Sequence, residues 1–356
     1  MSTNICLDPP EANVTNVTTV TPLVYLTNAE LWIQLIFFYG FLCGVVSTVC
    51  SVLIWVGILR TKNLRNRFFI IVGCLTFCRT GVGVQFMVMT IYRSLRTLDL
   101  VSACQRRVVC HAIHFWLING WTVEMGLLFT LVVDRVIAIV KSSYYRNLTQ
   151  KSAFQICVAI YILVSILKLV PSYVSADMWE MAPCVNLYSA PGIEFNEFSQ
   201  DIDFIMVGVI LVLYFSLLVY VHRKVKVMKK RVSADNASDA GNIALQRQLK
   251  LMPLLRSLVL MHCGLALTAK LLLTLGVIVP EEHAQRVTAY GGMVACLDVC
   301  ANVTMLLITN ADIRNASLQC FKKQTNVDTI AIDTLTTRRS ASPSIRQWKD
   351  DARDDV

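Results

Sequence analysis

Seven long apolar stretches, each bounded by polar or charged residues, set the pattern of this chain. They run Leu31–Leu59, Phe68–Tyr92, Val108–Val140, Ala153–Tyr173, Phe204–Val227, Met252–Val279 and Val287–Ile308. A helix needs about 20 apolar residues to cross a hydrocarbon layer of roughly 30 Å, and each stretch reaches that length. The pattern predicts an all-α membrane protein, a seven-transmembrane helix bundle. No basic segment followed by a short apolar core precedes the first stretch, so the first span is expected to act as the anchor without a cleaved signal peptide.

Composition agrees with this. Hydrophobic residues make up 55% of the 356 and charged ones only 16%, too few to clothe a soluble protein of this size. The placement of the charges then sets an orientation, because cytoplasmic flanks retain Lys and Arg during insertion. Arg60, Lys62, Arg65 and Arg67 follow the first span; Lys141, Arg146 and Lys151 follow the third; a dense run from Arg223 to Arg231 follows the fifth. The first thirty residues carry no Lys or Arg. Neither does the segment Ser172–Asp203, which holds Asp177, Glu180, Glu194, Glu197, Asp201 and Asp203. The amino terminus and that acidic loop are therefore expected outside the cell.

The net charge of +9 is on this reading a topological signal, set beside anionic headgroups of the lipid bilayer, with no nucleic-acid partner. Asn13 and Asn16 head glycosylation sequons on the expected outer side, whereas Asn147, Asn236 and Asn315 head sequons expected to stay inside and unmodified. No zinc-spaced His cluster and no nucleophile beside a base occurs, so neither an enzyme nor a cofactor or metal is expected.

The third span closes with Asp134-Arg135-Val136, an acid and a base side by side at the end of a long apolar helix. Twenty-five residues earlier lies Cys110, a separation of about 37 Å in helical form, which puts it at the opposite membrane face. The seventh span ends Asn302-Val-Thr-Met-Leu306, and Asn310 and Arg314 follow. On these residues the chain resembles the rhodopsin-like receptors, which carry Asp-Arg-Tyr, a Cys and Asn-Pro-x-x-Tyr at corresponding places. Val136, Val303 and Leu306 depart from that pattern. So do Ser51, where the family usually has Asn, and the sixth span, which lacks Cys-Trp-x-Pro. With Asn63-Leu-Arg65-Asn66 in the first inner loop, the chain looks most like nematode chemosensory serpentine receptors of the SRSX-like group.

The resemblance implies a receptor for an extracellular small-molecule or peptide ligand that activates a heterotrimeric G protein, at the plasma membrane. It implies a Cys110–Cys184 disulfide, although Cys6 and Cys104 also lie on the expected outer side. Arg135 would be restrained by Asp134 at rest and would meet the G protein when active. Ligands would enter among His114, Leu117, Trp121, Thr122, Lys270 and Tyr290. Leu117 stands where amine receptors have an Asp, which argues against an amine transmitter. A short amphipathic eighth helix would occupy residues 310–323, with Cys320 as a palmitoylation site. Residues 1–30 would form a glycosylated outer segment, 31–309 the bundle, and 324–356 a disordered tail. That tail carries Ser340, Ser342 and Ser344 and would meet arrestin, or a PDZ-type groove through Val356.

Mid-membrane charges add a further expectation. Arg79 falls where the resembling receptors hold a sodium-binding Asp, and Glu124 and Asp298, with Asn302 one turn from Asp298, are expected to converge on it. Its guanidinium would take the place of the ion, paired to both carboxylates. The rival reading is a transporter or channel using Arg79, Glu124, Lys168, Lys270 and Asp298 as a polar path, but no paired, broken helices in two related halves occur. A retinal protein is excluded by the lack of a Lys in the seventh span.

Overall fold

The computed structural model describes residues 23–98, 100–101, 104–175, 179, 181–183, 193–232, 249–279 and 281–319. Helix α1 spans Leu23–Arg60, α2 Arg67–Thr97, α3 Arg107–Val140, α4 Ser142–Asn147, α5 Gln150–Ser175, α6 Ile193–Val232, α7 Met252–Ile278, α8 Glu281–Thr309 and α9 Ala311–Gln319. Strands β1 (Cys104–Arg106) and β2 (Met181–Pro183) pair antiparallel, Cys104 opposite Pro183. This pairing lays the segment after α5 across the start of α3.

Several boundaries differ from the sequence reading, most of all two helix starts. Helix α1 begins at Leu23, not Leu31, because Leu23–Glu30 contains no Gly or Pro to stop the backbone ladder. Helix α6 begins at Ile193, so Asp201 and Asp203, expected in an outer loop, are helical. Asp203 is 4% exposed.

Several helix starts are sealed by side chains that the local sequence supplies. Asn66 Oδ1 accepts from the Phe69 amide at 3.1 Å, Thr149 Oγ1 from Ser152 at 3.2 Å, and Asn310 Oδ1 from Ile313 at 3.0 Å. Each satisfies an orphan first-turn N–H, an effect of about 1 kcal/mol. Asn310, singled out in the sequence as part of a motif, thus caps α9. Pro253 stands in the first turn of α7, where its missing N–H costs nothing.

The bundle is apolar on its outside, and its mainly apolar interior also buries a set of polar and charged side chains. Phe38, Leu163, Ile166, Ile205 and Val212 are exposed, while Ser47, Ser51, Arg79, Arg135, His262 and Asn302 are at or near zero exposure. Six of the described helices are long and apolar enough to cross a membrane: α1, α2, α5, α6, α7 and α8, through Ile36–Arg60, Arg67–Tyr92, Gln150–Lys168, Asp201–Val227, Met252–Gly276 and Tyr290–Thr309. Helix α3 is not among those six. At 34 residues it is about 51 Å long, and Glu124, Asp134 and Arg135 on it are buried.

Helix α3 is the pillar of the bundle, packed against α2, α5, α6 and α7, while α1 leans on α2 and α8 and α7 on α8. Two glycines let α1 and α2 meet closely: a Cβ on Gly44 would lie 2.6 Å from the Gly83 carbonyl oxygen, and one on Gly83 2.9 Å from that of Gly44. Small residues at such crossings let backbones touch where lipid supplies no hydrophobic drive. Helix α9 folds back on α1, with Ile313, Ala316 and Ser317 buried.

Candidate functional site

Three buried polar clusters string along α3, each recruiting residues from other helices. Nearest the Arg135 end, Asp134 and Arg135 are 4% and 1% exposed. Arg135 donates to Asp134 Oδ2 through Nε at 3.2 Å and also through Nη2. The same Nη2 donates to the Tyr145 hydroxyl at 2.6 Å, and that hydroxyl donates to Asp134 Oδ2 at 3.0 Å. Arg67 from α2 holds the other carboxylate oxygen, Nε to Oδ1 at 3.2 Å, and fastens α5 through the Thr149 carbonyl at 2.8 Å and the Ser152 hydroxyl. The Arg135 guanidinium also lies 4.7 Å from the centre of the Phe68 ring and 5.4 Å from that of Tyr145. Such stacking replaces some of the water lost on burial. Burial in this cluster pushes the Tyr145 phenol up to about 12, so it stays protonated and able to donate at any physiological pH.

Midway along the bundle lies the second cluster. Arg79 of α2, fully buried, reaches Glu124 of α3 by one contact, Nε to Oε2 at 3.5 Å, and its two terminal nitrogens have no hydrogen-bond partner among the described residues. Asp298 of α8 does not complete the expected fork. Its Oδ2 lies 2.8 Å from Nδ1 of His262 on α7, and its Oδ1 accepts from Asn302 Nδ2 at 2.6 Å. Asp298 thus lies against His262 and Asn302, and no contact joins it to the guanidinium among the described residues. The other ring nitrogen of His262 stands 3.8 Å from Glu124 Oε2, although the ring is not aligned for a hydrogen bond with either acid. Glu124, His262 and Asp298 present three ligand atoms within 4.8 Å of one another, a donor set suited to a transition metal. Arg79 already stands on Glu124 and opposes a second cation there.

Toward the Cys110 end the third cluster surrounds Asp203. Thr122 donates to its Oδ1 at 2.8 Å, Lys168 of α5 lies 3.7 Å from the same oxygen, and Lys270 of α7 lies 3.1 Å from Oδ2. The Lys270 ammonium also sits 5.6 Å from the centre of the Trp121 ring. Trp121, Thr122 and Lys270, three of the expected pocket residues, thus share one neighbourhood. Tyr290 does not join them: it is 47% exposed on α8 and points away from the interior. His114 and Leu117 lie on α3, but their side chains are outside the described residues. Cys110 is buried and disulfide-bonded; Cys184 lies outside the described residues, as do Asn13, Asn16, Cys320 and the tail.

Arg67, Tyr145, His262 and Asp203 belong to these clusters and had not been singled out from the sequence for such roles. His262 carried the plainest signal, an imidazole inside an apolar span, since ionisable residues there are costly and face the bundle interior.

The family described as serpentine type 7TM GPCR chemoreceptor Srsx matches residues 44–321. The chain belongs to this family. No curated protein matches the chain. This chemoreceptor is therefore a multi-pass membrane protein, and the Asp134–Arg135 pair, the Asn302 and Asn310 positions and all three clusters fall inside the matched region.

Proposed function

We propose that this Srsx chemoreceptor binds an extracellular chemical ligand and activates a heterotrimeric G protein. In this reading α3 crosses the membrane as the seventh span, the amino terminus is outside the cell, and the Arg135 end faces the cytoplasm. Helix α9 lies along the inner membrane surface as the eighth helix, with Cys320 just beyond it as a lipid anchor. The Cys110 disulfide ties α3 to Cys184 in the outer loop, and glycans stand on Asn13 and Asn16. The observation that carries the reading is the lock on Arg135. A permanently charged guanidinium is buried at one end of the central helix, held by Asp134, Tyr145 and Phe68, all of which can release it without breaking the backbone. A G protein offering acceptors to that guanidinium would favour the released form, and a ligand among α3, α6 and α7 would bias the same helices from the other end.

The transporter or channel alternative has only the buried charges in its favour. These are paired within separate clusters. The test is a screen of odorants and peptides on cells expressing the chain with a promiscuous G protein. A ligand-evoked signal is expected, and Arg135→Ala should abolish it while surface expression persists. Normal signalling by Arg135→Ala would overturn the coupling role, and ligand-driven flux in proteoliposomes would favour the transporter.

A further inference from the structure

One face of helix α6 carries a hollow that opens toward lipid. Phe215, Ser216, Val219, Tyr220 and Arg223 recur at helical spacing, are all exposed, and together line a space of about 440 Å³. The hollow lies within the apolar segment Asp201–Val227, with Arg223 one turn inside its end, so what fills it comes from the membrane. Two polar groups in it are unspent. Hydroxyls in these helices return to the carbonyl four residues back, as those of Ser94, Thr130 and Thr304 do. Ser216 makes no such bond, nor any other among the described residues, although a hydroxyl facing hydrocarbon without a partner is costly. Arg223 likewise makes no hydrogen bond or ion pair among the described residues. Its neighbour Lys224 is committed: the ammonium donates to the Ile139 carbonyl near the end of α3 and lies 5.7 Å from the centre of the Tyr220 ring. Nothing on α6 itself can neutralise Arg223, because residues 204–232 contain no Asp or Glu and add His222, Lys226, Lys229, Lys230 and Arg231 at the same end.

We propose that this hollow is a binding site for an anionic phospholipid. The phosphate is held by Arg223, an ester carbonyl accepts from the Ser216 hydroxyl, and an acyl chain lies over Phe215 and Val219. Helical side chains lean toward the N-terminal end of their helix, so Arg223 reaches back toward Ser216 along a backbone rise of about 10 Å. That shortens the gap between the two polar groups toward the separation of a phosphate from the ester beneath it. A guanidinium also presents a flat fork of donors that matches phosphate oxygens. Charge then selects the headgroup. Lys226, exposed and three residues from Arg223, repels the ammonium of a zwitterionic lipid, whereas a headgroup of net negative charge is drawn to this basic end. A sterol would suit the apolar wall and leave Arg223 without a counter-charge. The site concerns a lipid and not the extracellular ligand, and it is independent of whether the chain couples to a G protein.

The test is photolabelling of the full-length chain in phosphatidylcholine nanodiscs. The probes are phosphatidylglycerol and phosphatidylcholine, each with a diazirine on its acyl chain, and mass spectrometry of the digested receptor locates the label. The phosphatidylglycerol probe should label α6 between Phe215 and Tyr220 well above the phosphatidylcholine probe, and unlabelled phosphatidylglycerol should compete where cholesterol does not. Arg223→Gln should lower that labelling by roughly ten- to a hundredfold, the range of a charge-assisted hydrogen bond, while labelling elsewhere on the chain reports that the protein is folded. Ser216→Ala should lower it about two- to tenfold, and Arg223→Lys should keep more label than Arg223→Gln, since a point charge replaces part of the fork. Equal labelling by the two probes means contact with bulk lipid and overturns the proposal without any variant. So does displacement by cholesterol alone, which would make this a sterol site, or cross-links between the α6 helices of two copies that exclude the probe. Undiminished labelling of a folded Arg223→Gln protein overturns it as well.

Discussion

Two arginines are almost completely buried in this bundle, and their surroundings could hardly differ more. Arg135 has a carboxylate on two of its nitrogens, a phenol on one, and two aromatic faces against the guanidinium. Arg79 has a single polar contact at 3.5 Å and two nitrogens with no hydrogen-bond partner among the described residues. A guanidinium wrapped by several independent partners tolerates the loss of any one. One held by a single acid depends wholly on it, since breaking a buried pair leaves a bare charge in a poor dielectric. The well-partnered arginine sits where the proposed switch would release and recapture it. The poorly partnered one sits where four helices meet around Glu124, His262 and Asp298.

The sharpest break of this contrast is Glu124→Gln, which strands Arg79 and should cost about 3–5 kcal/mol, read as a large drop in the heat-unfolding midpoint of purified receptor. Adding Arg79→Leu should recover part of the loss. Arg79→Ala alone should cost less than Glu124→Gln, because a stranded carboxylate can be neutralised by taking up a proton whereas a stranded guanidinium stays charged; the reverse order would show that Arg79 has partners beyond Glu124.

Asp134→Asn should cost less again, about 1–3 kcal/mol, because Arg135 keeps Tyr145 and the aromatic rings and Arg67 keeps Thr149 and Ser152. Basal G-protein signalling should rise, measured without ligand. Tyr145→Phe should cost about 1 kcal/mol, the worth of one bridging hydroxyl, with a smaller rise in basal signal. The Tyr145 phenol is raised above its unfolded value of about 10, so its contribution is complete at neutral pH and is lost only as pH climbs through about 12. Stability of the wild type and of Tyr145→Phe should therefore run parallel between neutral and mildly alkaline pH. The smallest expected effect is none: replacing sodium by choline should leave agonist affinity unchanged, since the buried Arg79 guanidinium already stands beside Glu124.

Much of the architecture was legible in the chain because the physics behind it is local. Run length decides whether a segment can span lipid, and Asn66, Thr149 and Asn310 cap helices through partners three residues away. Helix α3 was read as one continuous apolar stretch from Val108, within a residue of its actual start at Arg107. The acidic pair partner of Arg135 was legible for the same reason, being its neighbour in sequence. The Asn302 contact with Asp298, one helical turn away, was too.

What the tertiary structure decided was which faces of different helices meet. Spacing along one helix fixes a residue's direction relative to its neighbours, but not how far that helix is rotated or slid against the next. A rotation of one residue's arc exchanges one partner for another. So Asp298 met His262 instead of Arg79, Tyr290 turned outward, Asp203 moved from an expected loop into the interior, and Tyr145 arrived over Arg135 on a short helix no apolar pattern foretold. Run lengths and charge asymmetry along the chain determined that polar side chains would be sequestered inside an apolar shell. Their pairing was set only when seven long helices packed, because buried charges take whichever partner the helix crossings bring within reach.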